Sequence, residues 1–261
     1  MICIVLAAGY ATRLYPLTEN FPKPLLPVGE KTILDHLLDD LAATGCVDRY
    51  VIVSNHRYID AFRAYAEKKT LPILVLDDGS EQNETRLGAV RDIAFALRSI
   101  APQGAPTEDV LVIAGDNVLD FSLGALLRYA AEKQTSCVMR YEEPSVERLR
   151  KCGVITVDGE DRITSMVEKP PVPPSHHCVP PFYFYRAADA ARAEEALAEG
   201  CGADAPGSFL AWLAARTTVH AMPMPGHRYD VGNLESYRAV CDGYRGIGAA
   251  SPVPDSNVSE A

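Results

Sequence analysis

The residues best suited to chemistry stand at the start of the chain, where an apolar run meets a glycine and two cations. The segment reads ICIVLAAGYATRL, and the following PKP places Lys23 ten residues after Arg13. Gly9 directly follows the apolar run, and a glycine there lets backbone N–H groups approach an anion closely. Arg13 can bind phosphate oxygens with its guanidinium fork, and the prolines flanking Lys23 are expected to hold that backbone extended. The segment indicates a site for a phosphate-bearing ligand, with ordinary surface charges as the alternative.

Further charged residues stand where predicted strands end. Asp116 closes the apolar run DVLVIAGD, the end at which an open α/β sheet presents its ligand groups. It could bind Mg²⁺, accept a hydrogen bond from a sugar hydroxyl, or cap the next helix. Asp230, just before a predicted helix, could complete a divalent-metal site with Asp116 or serve only as a turn residue. Glu168 and Lys169 close another strand, and by themselves such residues are more often a surface charge pair than a site.

Composition restricts the class of function. The formal net charge of −10 argues against a general nucleic-acid binder and against docking on an anionic membrane. No apolar run reaches membrane-spanning length. The seven cysteines are scattered, odd in number and never in a C-x-x-C pair, which favours reduced thiols and a cytoplasmic protein.

The first half of the chain alternates strands with helices. Strands are predicted over 2–7, 50–54, 72–76 and 109–116, and helices over 32–43, 58–69, 87–100 and 123–133. Such alternation predicts a mainly parallel sheet covered by helices on both faces. Right-handed crossovers would bring the loops after the strands to one edge, where ligands bind.

The second half has a different pattern. Strands at 136–141, 152–158 and 162–169, the last two joined by the turn 158–161, predict an antiparallel excursion. A proline-rich loop (170–181), helices at 188–199 and 208–215, a strand at 218–222 and a helix from Leu234 follow. Residues 248–261 have no apolar pattern and are predicted to be a disordered tail.

Five motifs in order, LAAGYATRLYPLTENFPKPLLPV, AGDN, CGV, EKP and DVG, resemble the sugar-1-phosphate nucleotidylyltransferases of the glucose-1-phosphate thymidylyltransferase type. The resemblance covers roughly residues 1–245. It implies a Rossmann-like α/β fold, with a mixed, mainly parallel sheet flanked by helices and a small antiparallel sugar-binding excursion. It also implies one domain over 1–245, in which 1–135 binds the NTP and 136–245 binds the sugar phosphate and supplies a second metal carboxylate.

The resemblance implies roles for individual residues. Arg13, Lys23 and Asp116 would be catalytic, and Asp116 and Asp230 would hold Mg²⁺. Gly153, Glu168 and Lys169 would bind the sugar phosphate. The nucleotide contacts would be Leu6, Ala7, Ala8, Gly9, Thr12, Asn83 and Gly88.

The implied reaction joins an NTP to a sugar 1-phosphate with Mg²⁺, giving an NDP-sugar and pyrophosphate. dTTP or UTP is favoured, with CTP as a further option. One alternative is a cytidylyltransferase for phosphocholine or a phosphonate, and another is a non-catalytic nucleotide-sugar sensor. The expected partners are these small molecules, without nucleic acid or membrane, and a homo-oligomer is compatible with the resemblance.

The chain departs from the family pattern at three places. Ala11 stands where many members have a second glycine. Asn83 stands where thymidylyltransferases have a glutamine that contacts the pyrimidine, and it offers the same donor and acceptor on a shorter stem. CVPPFYFY replaces N-x-G-x-Y beside the expected sugar pocket. The departures leave the base and the sugar open.

Overall fold

The computed structural model describes residues 1–102 and 104–249, so the predicted tail lies outside the described residues from residue 250 onward. The chain forms two compact units. The first unit comprises Met1–Ile4, Leu87–Ile113 and Leu126–Met224. The second unit comprises Val5–Arg86, Ala114–Ala125 and the described residues from Pro225 onward. Each unit thus contains residues from both the predicted NTP half (1–135) and the predicted sugar-phosphate half (136–245).

The strands are β1 (Ile2–Leu6), β2 (Pro27–Val28), β3 (Lys31–Thr32), β4 (Arg49–Ser54), β5 (Ile73–Asp77), β6 (Val110–Ala114), β7 (Asn117–Leu119), β8 (Ser136–Glu142), β9 (Gly153–Val157), β10 (Ile163–Glu168), β11 (His177–Val179), β12 (Phe182–Tyr185), β13 (Val219–Pro223) and β14 (Arg228–Asp230). The helices are α1 (Ile33–Ala43), α2 (Ile59–Ala66), α3 (Ala89–Ile100), α4 (Gly124–Lys133), α5 (Val146–Leu149), α6 (Ala187–Ala190), α7 (Ala193–Ala198), α8 (Gly207–Ala214) and α9 (Leu234–Gly243). In the described part of the chain, no helix combines the length and the apolar character that crossing a bilayer requires.

In the second unit, the end of β1 lies beside β4, and β4 pairs in parallel with β5. β4 reads RYVIVS and is buried from its second residue onward, as expected for a strand covered on both faces. Helix α1 begins with a capping box in which Thr32 and Asp35 exchange side-chain and backbone hydrogen bonds. Asn233 and Ser236 form the same arrangement at α9, which starts just after β14.

In the first unit, the strand order is β10-β9-β11-β8-β12-β6-β1, and β13 pairs in parallel with β8. β12 is antiparallel to both β6 and β8, and β9, β10 and β11 form antiparallel pairs. The predicted α/β fold, a mixed sheet with an antiparallel excursion, is confirmed.

The sequence patterns did not predict several short elements. The predicted loop 170–181 contains β11, whose three residues are too few to show a period of two. The predicted helix 188–199 is two helices, α6 and α7, separated by Ala191 and Arg192. The Arg192 guanidinium lies 4.7 Å from the centre of the Trp212 ring, a tertiary contact that no local pattern predicts.

Candidate functional site

The loop that follows β1 is hydrogen-bonded at its start to the ends of neighbouring strands. The N–H of Ala7 donates to the carbonyl of Val53 at 2.9 Å. The carbonyl of Leu6 accepts from the N–H of Gly115 at 3.1 Å. The carboxyl end of β1 therefore lies among residues that follow β6 and end β4, as the edge rule predicts.

From Gly9 the loop becomes accessible. The carbonyl of Ala8 accepts from the side-chain amide of Asn55 at 3.0 Å, and Asn55 is fully buried. Gly9 is exposed, and a Cβ built on it would meet no described atom within 4 Å. Gly9 is thus the first residue of this loop whose backbone a ligand can approach freely.

Ala11 adopts the left-handed conformation, with φ 46° and ψ 41°, although it is not a glycine. A right-handed 3₁₀ turn, Thr12–Leu14, follows directly. Left-handed and right-handed residues in succession turn their N–H groups to one side and form an anion-binding concavity. Within the described residues, the N–H groups of Thr12 and Arg13 have no hydrogen-bond partner. The loop therefore keeps the conformation that glycine would favour, at a steric cost of about 1 kcal/mol.

A buried hydrogen-bond chain braces this strained residue. The hydroxyl of Thr18 donates to the carbonyl of Ala11 at 2.8 Å. The hydroxyl of Tyr58 donates to the carbonyl of Thr18 at 2.6 Å. Thr18 and Tyr58 are both buried, and each such bond contributes roughly 1 kcal/mol, enough to offset the strain. We call Thr18 and Tyr58 the loop brace.

Thr12 and Arg13 point their side chains toward solvent. Both residues are exposed, and within the described part of the chain Arg13 forms no ion pair. Its guanidinium therefore remains available for an anionic ligand beside the concavity.

The prediction that Lys23 is held extended is wrong. Pro22 is extended, but the chain then closes into the 3₁₀ turn Lys23–Leu25. In this turn the N–H of Leu26 donates to the carbonyl of Lys23 at 3.0 Å. The hydrogen bonding of this turn outweighs the preference for an extended backbone that Pro24 imposes on Lys23, the residue before it.

Lys23 and Asp116 form an ion pair, with 2.7 Å between Nζ and Oδ2. The other carboxylate oxygen of Asp116 accepts from the side-chain amide of Asn117 at 2.7 Å. Burial alone would raise the pKa of Asp116, but the Lys23 ammonium and, more weakly, Arg228 bring it below its usual value. Asp116 is therefore anionic at neutral pH, next to the buried cation.

Asp230 lies on the strand next to Asp116. β14 is antiparallel to β7, with Asp230 opposite Asn117, and the N–H of Val231 approaches the carbonyl of Asp116 at 3.5 Å. The structure thus brings Asp230, at the end of β14, opposite the residue that directly follows Asp116 in the second unit. Among the described residues, no cluster of three or more metal-ligating side chains occurs, so this pair would leave most positions around a metal to other ligands.

In the first unit, the Glu168 carboxylate packs against two glycines. A Cβ on Gly153 would lie 2.9 Å from Oε2 of Glu168, and a Cβ on Gly207 would collide with the same oxygen. Burial raises the pKa of Glu168, which Lys169 partly opposes and Asp204 reinforces. Both glycines are therefore needed to seat this carboxylate.

Lys169 also has a left-handed backbone, with φ 48°. Its N–H donates to the carbonyl of Cys152 at 2.9 Å, and its ammonium lies 3.9 Å from the carboxylate of Asp204. Left-handed non-glycine residues cost about 1–3 kcal/mol and cluster at functional sites, where the surrounding structure holds them in place. The strain supports a functional role for the EKP motif.

Gly88 has a structural role of its own. Its φ is 93°, and a Cβ on it would lie 2.6 Å from the carbonyl oxygen of Ala203. The first N–H groups of α3 donate to this neighbouring loop, Ala89 to the carbonyl of Asp204 and Val90 to that of Ala203. The chain itself occupies the position that a Cβ on Gly88 would take. The nucleotide contact at Gly88 stays a prediction.

Asn83 lies in the 3₁₀ turn Asn83–Thr85 of the second unit. Its backbone carbonyl and its side-chain oxygen accept from Arg86 at 3.1 and 3.2 Å. The side-chain acceptor is thus engaged within the protein, while the amide NH₂ remains the group that can address a base.

The predicted site residues fall into two groups. The second unit contains Leu6, Ala7, Ala8, Gly9, Thr12, Arg13, Lys23, Asn83, Asp116 and Asp230, and the first unit contains Gly88, Gly153, Glu168 and Lys169. Sequence reasoning missed the loop brace, Asn55 and Asp204. Asn55 directly follows β4, so the edge rule could have found it. No local signal marks Thr18 or Tyr58.

The chain is similar to known proteins over most of its length. The family model described as nucleotidyl transferase matches residues 2–245. The UTP–glucose-1-phosphate uridylyltransferase AglF of Haloferax volcanii is 30% identical over 185 residues, covering 71% of this chain and 72% of that protein. A glucose-1-phosphate thymidylyltransferase of Mycolicibacterium smegmatis is 30% identical over 188 residues, covering 70% of this chain and 60% of that protein.

The fold agrees as well. The crystal structure of a UDP-glucose pyrophosphorylase complexed with UDP-glucose superposes with a TM-score of 0.74 at 23% identity, covering 92% of this chain and 97% of the other. The resemblance inferred from the five motifs is confirmed, and the chain belongs to the nucleotidyl transferase family.

Proposed function

We propose that this protein is a sugar-1-phosphate nucleotidylyltransferase, which transfers a nucleoside monophosphate from an NTP to a sugar 1-phosphate and releases pyrophosphate. The observation that carries the proposal is the ion pair of Lys23 and Asp116 in the same unit as Arg13 and the N–H concavity. This arrangement offers two cations and unpaired N–H groups to a triphosphate, and a carboxylate to a metal. The named activities of the two relatives support the same reaction type.

The chemistry requires charge compensation more than acid–base catalysis. An oxygen of the sugar phosphate forms a bond to the α-phosphorus, while the bond from that phosphorus to the oxygen bridging to the β-phosphate breaks. The leaving pyrophosphate takes the electron pair. Two like charges about 4 Å apart repel by roughly 4 kcal/mol at an effective dielectric constant near 20. Arg13 and Lys23 would reduce this repulsion on the NTP, and Lys169 on the acceptor phosphate.

Mg²⁺ fits the carboxylates of the second unit. In phosphoryl-transfer sites Mg²⁺ usually binds one or two carboxylates and takes its other ligands from phosphates and water. Asp116, anionic at neutral pH, and Asp230, which lies opposite the residue after Asp116, would hold it. When bound, Mg²⁺ would neutralise phosphate charge that develops during transfer.

For the base, we propose a pyrimidine, UTP or dTTP, with CTP as a further option. The side-chain NH₂ of Asn83 can donate to a carbonyl oxygen of uracil or thymine, while its oxygen accepts from Arg86. The two relatives are named as a uridylyl- and a thymidylyltransferase, which supports the same choice. The scattered cysteines support a cytoplasmic location.

The test is a matrix of NTPs against glucose, mannose and N-acetylglucosamine 1-phosphates and phosphocholine, read by pyrophosphate release. We expect turnover with a uridine or thymidine nucleotide and a sugar 1-phosphate, and its loss when EDTA removes Mg²⁺. Arg13→Gln should raise the KM for the NTP about ten-fold, whereas Arg128→Gln, an exposed arginine on α4, should not. The proposal fails if no pair turns over, or if phosphocholine alone does.

A further inference from the structure

Tyr10 connects the loop that follows β1 to the loop that follows β5. Its hydroxyl donates to the carbonyl of Ser80 at 2.9 Å, although 70 positions separate the two residues in the sequence. Both residues are buried, so water does not compete for this hydrogen bond. Burial also raises the pKa of Tyr10, which therefore keeps its proton and acts as a donor at neutral pH.

The acceptor of this hydrogen bond lies near the start of residues 78–86, which we call the base loop because they include Asn83, the proposed base contact. The start of the base loop is fixed to the sheet. The N–H of Asp78 donates to the carbonyl of Ser54, the last residue of β4, at 2.9 Å. The carboxylate of Asp78 in turn accepts from the N–H and from the hydroxyl of Ser80, each at 2.7 Å. The Ser80 carbonyl is therefore a fixed point to which another loop can be anchored.

At its other end, Tyr10 belongs to the proposed triphosphate site. It follows Gly9, whose backbone a ligand can approach, and it precedes Ala11, the left-handed residue of the N–H concavity. The concavity has a support of its own, because the hydroxyl of Thr18 holds the carbonyl of Ala11 at 2.8 Å. The concavity can therefore keep its shape without the hydroxyl of Tyr10, whose hydrogen bond goes to the base loop.

A connection of this kind suits a ligand with two different ends. A nucleoside triphosphate must place its base at the base loop and its phosphates at the concavity at the same time. Two linked groups gain affinity from each other only when their sites stand at the separation that the ligand spans. A hydrogen bond between the two loops restricts that separation, whereas a polyphosphate without a base occupies one site and gains nothing from the restriction.

Building on the proposed function, we propose that Tyr10 is a positioning residue that sets the separation between the base contact and the triphosphate site. Through its hydrogen bond to Ser80, it allows one nucleoside triphosphate to occupy both loops at once. The affinity for a nucleotide that carries both a base and a polyphosphate chain therefore depends on the Tyr10 hydroxyl. The affinity for a polyphosphate alone does not.

The substitution Tyr10→Phe removes the hydroxyl and keeps the ring, whose centre lies 6.1 Å from that of the Tyr58 ring. The carbonyl of Ser80 keeps a donor, because the N–H of His56 also donates to it at 2.9 Å. The variant should therefore fold. We expect it to bind the NTP about five-fold more weakly, the effect of one buried hydrogen bond. It should bind inorganic tripolyphosphate as tightly as the wild type does, whereas a merely structural role would weaken the binding of both.

The experiment is isothermal titration of the full chain, in excess Mg²⁺, with tripolyphosphate and with the NTP that gives the highest turnover, or UTP if none turns over. The matched control is Tyr65→Phe, since Tyr65 is also buried in the second unit and its hydroxyl donates to Asp35 at 2.7 Å. The control should bind both probes as the wild type does. Equal weakening of both probes by Tyr10→Phe, an unchanged affinity for the NTP, or no binding of either probe to the wild type would each overturn the inference.

The result is separable from the proposed function because titration requires no turnover. Weakening of the NTP alone, without turnover in the NTP matrix, would support the positioning role of Tyr10 and contradict only the transfer reaction. Turnover together with equal weakening of both probes would leave the reaction standing and contradict the positioning role of Tyr10.

Discussion

The two halves of the Lys23–Asp116 ion pair should contribute unequally to stability. The side chain of Lys23 is 9% exposed, whereas that of Asp116 is 36% exposed. Asp116→Asn therefore leaves an ammonium group buried without its counter-charge. Lys23→Met leaves a carboxylate that water and the amide of Asn117 can still solvate.

The magnitudes follow from this difference in burial. Removing one partner of a fully buried ion pair costs roughly 3–5 kcal/mol. Because Asp116 is partly exposed and screened, we expect a loss of about 2 kcal/mol for Asp116→Asn. For Lys23→Met we expect about 1 kcal/mol or less, since the remaining charge is the better solvated one. Both variants should still fold, because domains commonly have about 5–15 kcal/mol of stability.

The assay is urea unfolding of the wild type, both single variants and the double variant at pH 7. The double variant should be more stable than the sum of the single losses predicts, because it leaves no unpaired charge. The pKa of Asp116 is lowered on folding, so its contribution is complete well above the ordinary value of 3.8 and is lost as the pH falls through and below it. The difference between the wild type and Asp116→Asn should therefore shrink as the pH falls below 3.8.

Two results would refute this reasoning. One is equal stability of Asp116→Asn and Lys23→Met, which would mean that burial of the ammonium carries no penalty. The other is a stability difference that does not depend on pH near the titration of Asp116. Turnover is expected to fall at least 100-fold in both variants. The unfolding measurement requires no turnover, so it reports on the charge pair separately from catalysis.

Two further variants test the loops of the site. Thr18→Val removes the hydrogen bond to Ala11 and should raise the KM for the NTP about five-fold with the acceptor KM unchanged, the equivalent of roughly 1 kcal/mol. Adding Ala11→Gly should restore most of the loss, because glycine adopts a positive φ without strain; equal changes in both KM values would contradict the role of the brace. Gly207→Ala forces the Glu168 carboxylate out of its seat and should raise the acceptor KM at least ten-fold, measured by pyrophosphate release. The control is Gly159→Ala, where a Cβ meets no described atom within 4 Å, and it should leave the acceptor KM unchanged. If Gly207→Ala also left the acceptor KM unchanged, Glu168 would have no part in acceptor binding.

Long, strongly periodic segments were predictable from the sequence. The predicted helix at 87–100 is α3 (Ala89–Ile100), and the predicted strand at 50–54 is β4 (Arg49–Ser54). Buried strands and amphipathic helices show this regularity because one face or both faces must be apolar. The ends of these elements also predicted where Asp116 and Gly9 would lie, since parallel strands present their carboxyl ends at one edge.

Short elements and the reasons behind single residues were not predictable in this way. β11 has three residues and β2 has two, too few for any period to appear. The nucleotide contact at Gly88 stays a prediction, but no motif could indicate that a Cβ there would meet the carbonyl of Ala203, more than 100 residues later in the chain. A local pattern carries no information about such a partner.

The sequence by itself determined the α/β fold, the family and the residue types gathered for phosphate chemistry, because these depend on periodicity and on motifs of adjacent residues. Only the tertiary structure decided the conformation of Ala11. It stays left-handed because the Thr18 hydroxyl donates to the carbonyl of Ala11 and the distant Tyr58 hydroxyl donates to the carbonyl of Thr18. The same holds for the contact between Lys169 and Asp204, which come together although 35 positions separate them in the sequence. Strain, burial and ion pairing depend on what surrounds a residue in space, and the chain must fold before those surroundings exist.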